Sequence, residues 1–149
     1  MIDVRVNLFA VASLVLLAVT AAVSKTPAHA APLPQRSSSG FQLPPDAPDK
    51  KNPLTVDAKV LADGKKLFGD KCRKCHGPNG LGDGPDADPD HAEEMNLTNP
   101  KRADRNPDGV VFYKVHNGRR NPKMPAFKDE LSVNQIWSVV AYVQTLRKK

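Results

Sequence analysis

The chain is poor in the residues that fill a protein core or cross-link a small fold. Its 149 residues include eight aromatic side chains (one Trp, two Tyr and five Phe) and two cysteines. Two cysteines exclude a disulfide-stapled scaffold, and because Cys72 and Cys75 are three positions apart, they indicate a local metal, redox or cofactor motif. From residue 54 onward no stretch shows the sustained alternation of a β-strand, so the pattern favours helices.

An apolar run lies near the start of the chain, from Leu8 to Val23, with Arg5 before it and Ala28-His29-Ala30 after it. This pattern is typical of a secretory signal peptide over residues 1–30. An uncleaved membrane anchor is the alternative, but the run has sixteen residues, and a spanning helix needs about twenty. We therefore expect export to the periplasm, with the protein soluble if the signal is cleaved and membrane-tethered if it is not.

The next segment, residues 31–53, has six prolines and a single aromatic residue, Phe41. Such a composition cannot bury enough apolar surface to fold by itself, so it predicts a disordered tail or linker. The folded domain is then expected over residues 54–149.

Three segments of this domain carry helical signals. The first runs from Thr55 or Asp57, either of which could cap it, to Phe68. The second covers residues 107–117 and stops at a glycine, and the third covers residues 132–146 and opens with a Ser-x-x-Gln capping box. The patterns predict an all-α fold with three main helices.

The long connection between the first two helices, residues 77–106, is rich in glycine and proline. Thirty such residues in a compact domain are unusual unless they surround something that is not polypeptide. We therefore expect long loops wrapped around a large apolar prosthetic group.

A C-x-x-C-H motif, from Cys72 to His76, identifies that group. The two thiols can add to the two vinyl groups of one haem, and the adjacent His76 then becomes the proximal ligand of its iron. A thioredoxin-like redox pair would need a βαβ pattern that the sequence lacks, and a zinc site would need about four ligands. The motif predicts one covalent haem c bound by Cys72, Cys75 and His76.

The iron needs a second axial ligand. Met124 lies between Pro122 and Pro125, which are expected to keep the segment extended, and a thioether raises the potential of haem iron. The other candidates are Met95, His91 and His116. Met95 lacks flanking prolines, and the two histidines lie in an acidic loop and at a helix end. We take His76 and Met124 as the predicted iron ligands.

These motifs and several others follow one another along the chain in a fixed order. They are Gly64-x-x-Leu67-Phe68, Cys72-x-x-Cys75-His76-Gly77, Leu97-Thr98-Asn99-Pro100, Val115-x-Asn117-Gly118, Met124-Pro125 and Ile136-Trp137-x-Val139-Val140-Ala141-Tyr142-Val143. In this order they resemble the class I monohaem cytochromes c, and the resemblance covers residues 54–149.

The resemblance implies how the domain is packed. It suggests that Gly64 and Phe68 meet Val140 and Val143 where the first and last helices cross, since glycine permits close approach. It also implies that a backbone carbonyl in a Gly-Pro turn orients the proximal histidine. Two turns fit this role, Gly84-Pro85 being the better match and Gly77-Pro78 the second choice.

The implied function is one-electron transfer between redox proteins outside the cytoplasm, without enzymatic turnover. Two alternatives stay open: a haem subunit of a larger dehydrogenase or oxidase, and a haem enzyme or gas sensor in which Met124 is displaced. The chain has 22 Lys and Arg against 16 Asp and Glu. In an exported protein this excess suits partners with acidic docking surfaces rather than nucleic acid. Membrane contact is expected only through an uncleaved signal or a membrane-bound partner.

Overall fold

The structure is a computed structural model that describes residues 35–36 and 40–147. The chain divides after Ala31, and all described residues belong to the second unit, Pro32–Lys149. The predicted signal peptide, residues 1–30, lies outside the described residues. Within the described part, no helix is long and apolar enough to cross a membrane.

The domain is all-α, as predicted. Its helices are α1 (Ala58–Lys71), α2 (Arg73–His76), α3 (Ala92–Met95), α4 (Asp108–Asn117) and α5 (Val133–Leu146). Two short strands, β1 (Gln35–Arg36) and β2 (Gln42–Leu43), pair antiparallel ahead of them. The three main predicted helices are α1, α4 and α5, and 3₁₀ turns at Pro89–His91 and Pro100–Arg102 lie in the long connection.

Helix α1 begins where a side chain caps it and runs directly into the C-x-x-C-H motif. The carboxylate of Asp57 accepts a hydrogen bond of 2.8 Å from the Val60 N–H, so of the two predicted N-caps Asp57 is the one used. The helix continues past the predicted end at Phe68 to Lys71. The Cys72 N–H then donates to the Phe68 carbonyl at 2.9 Å, and α2 follows at once.

Helix α5 contributes seven buried residues to the domain. Its predicted capping box is present, because Ser132 and Gln135 each accept a hydrogen bond from the other's backbone N–H. The indole of Trp137 stacks on Phe112 of α4 with ring centroids 4.3 Å apart. The core cluster comprises Phe68, Val111, Phe112, Val115, Phe127, Leu131, Ile136, Trp137, Val139, Val140 and Val143.

Helices α1 and α5 cross at Gly64, as the resemblance implied, but with different partners on α5. A Cβ at Gly64 would lie 2.0 Å from the Ser138 carbonyl oxygen and 3.0 Å from Cβ of Tyr142. The rings of Phe68 and Tyr142 are 5.3 Å apart. The crossing point is therefore at Ser138 and Tyr142, while Phe68 shares the core cluster with the expected valines.

The expectation of a loose tail over residues 31–53 is wrong for residues 40–53. Phe41 is 6% exposed and Ala47 is fully buried. The amide of Asn52 donates to the Trp137 carbonyl at 3.1 Å, and Lys50 donates to the Tyr113 hydroxyl at 3.2 Å. The segment has too few apolar residues to fold alone. It is ordered because α4 and α5 provide apolar surface and hydrogen-bond partners for its few anchoring side chains.

Candidate functional site

The four predicted site residues line one cavity, between the C-x-x-C-H turn and the segment after α4. They are Cys72, Cys75, His76 and Met124. The cavity walls are otherwise largely apolar. The apolar residues around it include Phe41, Phe68, Leu97, Val111, Val115, Phe127, Val139 and Val143. The fold thus brings Cys72 and Met124, which lie 52 positions apart in the sequence, to a single cavity.

A helical turn sets the arrangement of the first three residues. The N–H groups of Cys75 and His76 both donate to the Cys72 carbonyl, at 3.3 and 3.0 Å. Residues at i, i+3 and i+4 share one helix face, so both thiols and the imidazole face the same cavity. This local geometry follows from the spacing of the motif alone.

Burial affects the protonation of two of these groups. It raises the pKa of the Cys72 thiol to about 12, helped by the nearby Cys75. Burial also lowers the pKa of His76, although its hydrogen bond to Met95 opposes this. At neutral pH the cavity therefore contains a neutral thiol and a neutral imidazole, and the neutral imidazole is the form that ligates a metal.

The His76 ring is oriented by the backbone of α3. Its Nδ1 lies 2.7 Å from the Met95 carbonyl oxygen. Because a carbonyl can only accept, Nδ1 carries the proton and Nε2 keeps its lone pair for a ligand. The predicted orienting carbonyl in a Gly-Pro turn is therefore wrong for both Gly84-Pro85 and Gly77-Pro78.

The Gly84-Pro85 turn packs elsewhere because of a tight contact with the motif helix. A Cβ at Gly84 would be 2.1 Å from the Lys74 carbonyl oxygen, and the Asp86 N–H donates to that oxygen at 2.8 Å. Gly82 instead allows α3 to approach, since a Cβ there would be 3.1 Å from the Met95 carbonyl carbon. A backbone acceptor has no side-chain signature, so sequence patterns could not have identified Met95 in this role.

Met124 reaches the cavity from a tight hairpin after α4. The backbones of Arg119 and Met124 exchange two N–H to carbonyl hydrogen bonds of 2.9 Å each. Residues 120–123 form the turn between them, so the expectation that prolines keep this whole segment extended is wrong. Gly118 has a φ of 60°, and a Cβ there would be 2.5 Å from the Met124 carbonyl oxygen, which requires a glycine.

The alternative ligands are placed less favourably. Met95 lines the cavity, but its carbonyl contacts His76, so it lies on the same side of the cavity as that predicted ligand. His91 pairs with the Asp88 carboxylate at 2.9 Å, and His116 contacts the side-chain oxygen of Asn117 at 2.7 Å. Neither histidine lines the cavity.

One feature of the cavity was not predicted from the sequence. Six cationic side chains line it, and we call four of them, which interact electrostatically around Lys114, the cation cluster: Arg102, Lys114, Arg119 and Arg147. The sequence showed a basic stretch over residues 99–128 but not that distant members of it converge with Arg147. Burial, together with these arginines, lowers the pKa of Lys114 to about 8.

The residues present fit a covalent haem. Two thiols and one imidazole with a free Nε2 lie on one helical turn, a thioether lines the same cavity, and the walls are apolar with cations among them. An apolar ring system with anionic substituents and a metal at its centre matches this set of groups.

Comparison with known proteins gives the same assignment. The family model described as cytochrome c matches residues 61–147. No curated protein matches the chain.

Among solved structures, a chain of a reducing HAO-like protein complex from Kuenenia stuttgartiensis is similar at 26% identity and a TM-score of 0.50. The match covers 66% of this chain and 50% of that one, so this chain spans half the length of its relative. Cytochrome CL from Methylophaga aminisulfidivorans has 24% identity and a TM-score of 0.48, with 64% and 60% covered. The KustC0563 c-type cytochrome has 26% identity and a TM-score of 0.46, with 58% and 99% covered.

Proposed function

Because this chain belongs to the cytochrome c family and carries covalently bound haem c with its iron, we propose that it is a one-electron carrier between redox proteins outside the cytoplasm. When bound, the haem supplies reversible one-electron oxidation and reduction. The observation that carries the proposal is that Cys72, Cys75, His76 and Met124 all line one apolar cavity.

We assign the axial positions to His76 and Met124. The Met95 carbonyl fixes the tautomer of His76, so that Nε2 is the ligating atom, and holds the ring against rotation. The hairpin closed by Arg119 and Met124 holds the thioether at the cavity. With both positions filled by protein, external ligands are kept from the iron, which favours electron transfer over catalysis.

Exposed lysines at the entrance of the cavity support the proposal that the redox partner has an acidic docking surface. Lys71 and Lys123 are exposed and line the cavity. Lys71 is partly neutralised by Glu130 at 2.7 Å. Lys74 does not line this cavity and instead lines a separate surface pocket with Arg73. The docking face we propose is therefore centred on Lys71 and Lys123, and the periplasmic location rests on the apolar run in residues 1–30.

A second candidate function is that of a haem subunit in a larger redox complex. It is favoured by the similarity to a chain of the reducing HAO-like complex, which is twice as long as the region matched. The two functions share the same haem chemistry. Isolation of the protein from its native source distinguishes them: a carrier is obtained as a free monomer, and a subunit is obtained together with its partner.

Replacement of the sixth ligand tests the proposal. Met124→Ala in the haem-loaded protein should lower the reduction potential and allow carbon monoxide to bind the reduced iron, because the thioether is lost. Met95→Leu is the matched control, since it removes the other cavity thioether but keeps the carbonyl that contacts His76. If Met95→Leu opened the iron and Met124→Ala did not, the ligand assignment would be wrong. Carbon monoxide binding by the unmodified protein would favour a gas sensor or haem enzyme.

A further inference from the structure

The cation cluster carries more positive charge than the described protein groups around it neutralise. Arg119 has a side chain only 7% exposed and pairs with Glu94 at 2.6 Å. Within residues 40–147, Arg102, Lys114 and Arg147 form no ion pair, and the carboxylate of Asp108 acts on Arg147 from a greater distance.

The cluster is held together by one buried amide. Asn106, which is 8% exposed, accepts hydrogen bonds from Lys114 at its side-chain oxygen and from Arg147 at its backbone carbonyl. Its side-chain N–H donates to the Arg102 carbonyl at 2.8 Å. These contacts hold the cationic groups of Lys114 and Arg147 at a single residue, and they fix the backbone of Arg102 beside it, without supplying any negative charge.

An aromatic ring from the N-terminal segment covers two of the cations. The Phe41 ring lies 5.0 Å from Nζ of Lys114 and 4.7 Å from the guanidinium carbon of Arg119, and it also lines the cavity. Phe41 precedes the region matched by the family model, which starts at residue 61. Its burial at 6% exposure keeps water from this side of the cluster.

Partly buried cations that outnumber the carboxylates beside them are costly, so a site of this kind calls for an anionic ligand. Attachment through Cys72 and Cys75 uses the vinyl groups of a haem and leaves its two carboxylates to be bound by other residues of the cavity. We propose that Arg102, Lys114, Arg119 and Arg147 bind the two haem carboxylates, and that Phe41 covers this site. The inference rests on the proposed haem cavity and adds the residues that neutralise its anionic groups.

Carboxylates bound in this way have a distinct acid–base behaviour. Neighbouring cations lower a carboxyl pKa by about 1–3 units, so both haem carboxyls should stay ionised well below the value of about 4.3 for a free Glu. The bound carboxylates in turn favour the charged form of Lys114 and oppose the effect of its burial. Glu94, also in the cavity, acts in the opposite direction on the carboxyls.

The test follows the haem carboxyls directly. The full-length haem-loaded protein is produced with haem labelled at its carboxyl carbons with ¹³C, and the labelled resonances of the reduced protein are followed against pH. In the unmodified protein we expect no titration near the pH of a free carboxyl. In Lys114→Met at least one carboxyl should titrate at higher pH, because it loses its cation while it stays buried.

The matched control is Lys50→Met. Lys50 also lies over aromatic rings, 5.2 Å from the Phe112 centroid, but it does not line the cavity, so its removal should leave the carboxyl titration unchanged. Phe41→Leu keeps an apolar side chain without the aromatic face and should raise the carboxyl pKa less than Lys114→Met does. If Lys114→Met fails to fold, Arg147→Gln at the end of α5 removes a cation from the same site.

Three results would overturn the proposal. The first is ordinary titration of both haem carboxyls in the unmodified protein. The second is a titration that neither Lys114→Met nor Arg147→Gln changes. The third concerns added inorganic phosphate at constant ionic strength. If phosphate shifts the NMR signals of Lys114 but leaves those of the haem carboxyls unchanged, the cluster is a site for free anions. If the labelled haem instead separates from the denatured chain, the premise that the haem is covalently attached is wrong.

Discussion

At the scale of single residues, the site is determined by side chains whose chemistry is visible in the sequence. Cys72, Cys75 and His76 share one face of a helical turn because of their spacing, and α1 leads into that turn without interruption. The structure places all three side chains at one cavity.

This predicts the outcome of removing the thiols. Cys72→Ser combined with Cys75→Ser should abolish haem attachment, because a hydroxyl does not form the thioether link. The mass of the denatured chain, measured after acid–acetone extraction, should equal that of the polypeptide alone. Arg73→Ser combined with Lys74→Ser changes the two exposed residues between the thiols and should leave the haem attached. A haem that persists in the double cysteine variant would exclude thioether attachment.

The residue-scale features that escaped prediction have a common physical cause. The Met95 carbonyl that orients His76 is a backbone group, which any residue type could supply. The convergence of Arg102, Lys114 and Arg147 on Asn106 depends on tertiary contacts between residues up to 45 positions apart. Local patterns report side-chain chemistry and spacing but not which distant groups meet.

At the scale of elements, the packing of α1 on α5 depends on a single missing side chain. At Gly64 the two helices are so close that a Cβ would lie 2.0 Å from the Ser138 carbonyl oxygen. Gly69, one turn further along the same helix, has nothing within 4 Å of such a Cβ. The two glycines provide a matched pair in one helix.

We predict opposite effects of alanine at these two positions. Gly64→Ala should force the helices apart and reduce the free energy of unfolding by about 1–3 kcal/mol or more. Gly69→Ala should raise it by up to about 1 kcal/mol, because alanine is the better helix former. Denaturant unfolding of both haem-loaded variants measures the two changes. A stable Gly64→Ala protein with unaltered unfolding would show that the crossing is not as close as the structure has it.

The bounds of the main helices were largely predictable, and the fate of the N-terminal segment was not. Capping at Ser132 and the stop at Gly118 are local signals, and both appear where expected. Phe41 and Asn52 anchor a segment whose own composition predicts disorder, since their partners lie on α4, α5 and the cavity. Composition describes a segment in isolation, and this one folds only against the rest of the domain.

At the scale of the whole molecule, charge determines how partners approach. The net charge is +6, and the exposed Lys71 and Lys123 line the proposed haem cavity. Electron-transfer encounters bury little surface, so long-range attraction contributes strongly to their rate. A positive face around the cavity would steer acidic partners toward it.

Charge reversal at this face tests the steering. Lys71→Glu combined with Lys123→Glu should slow electron transfer with an acidic redox protein by about tenfold or more at low ionic strength. The difference should shrink as salt is added, since the Debye length falls to about 8 Å at physiological ionic strength.

The control is Lys65→Glu combined with Lys66→Glu on the exposed side of α1. It changes the net charge equally, and like the loss of the Lys71–Glu130 pair it breaks a surface ion pair, that of Lys66 with Asp70 at 2.9 Å. Equal slowing by both pairs of substitutions would mean that net charge alone governs the encounter.

The central claim is that the haem iron is held between His76 and Met124, and X-ray absorption at the iron edge of the intact protein tests it most directly. We predict one sulfur among the iron ligands in both oxidation states, retained in Met95→Leu and lost in Met124→Ala. An iron with only nitrogen neighbours in the unmodified protein, or a sulfur that persists in Met124→Ala, would contradict this account of the site.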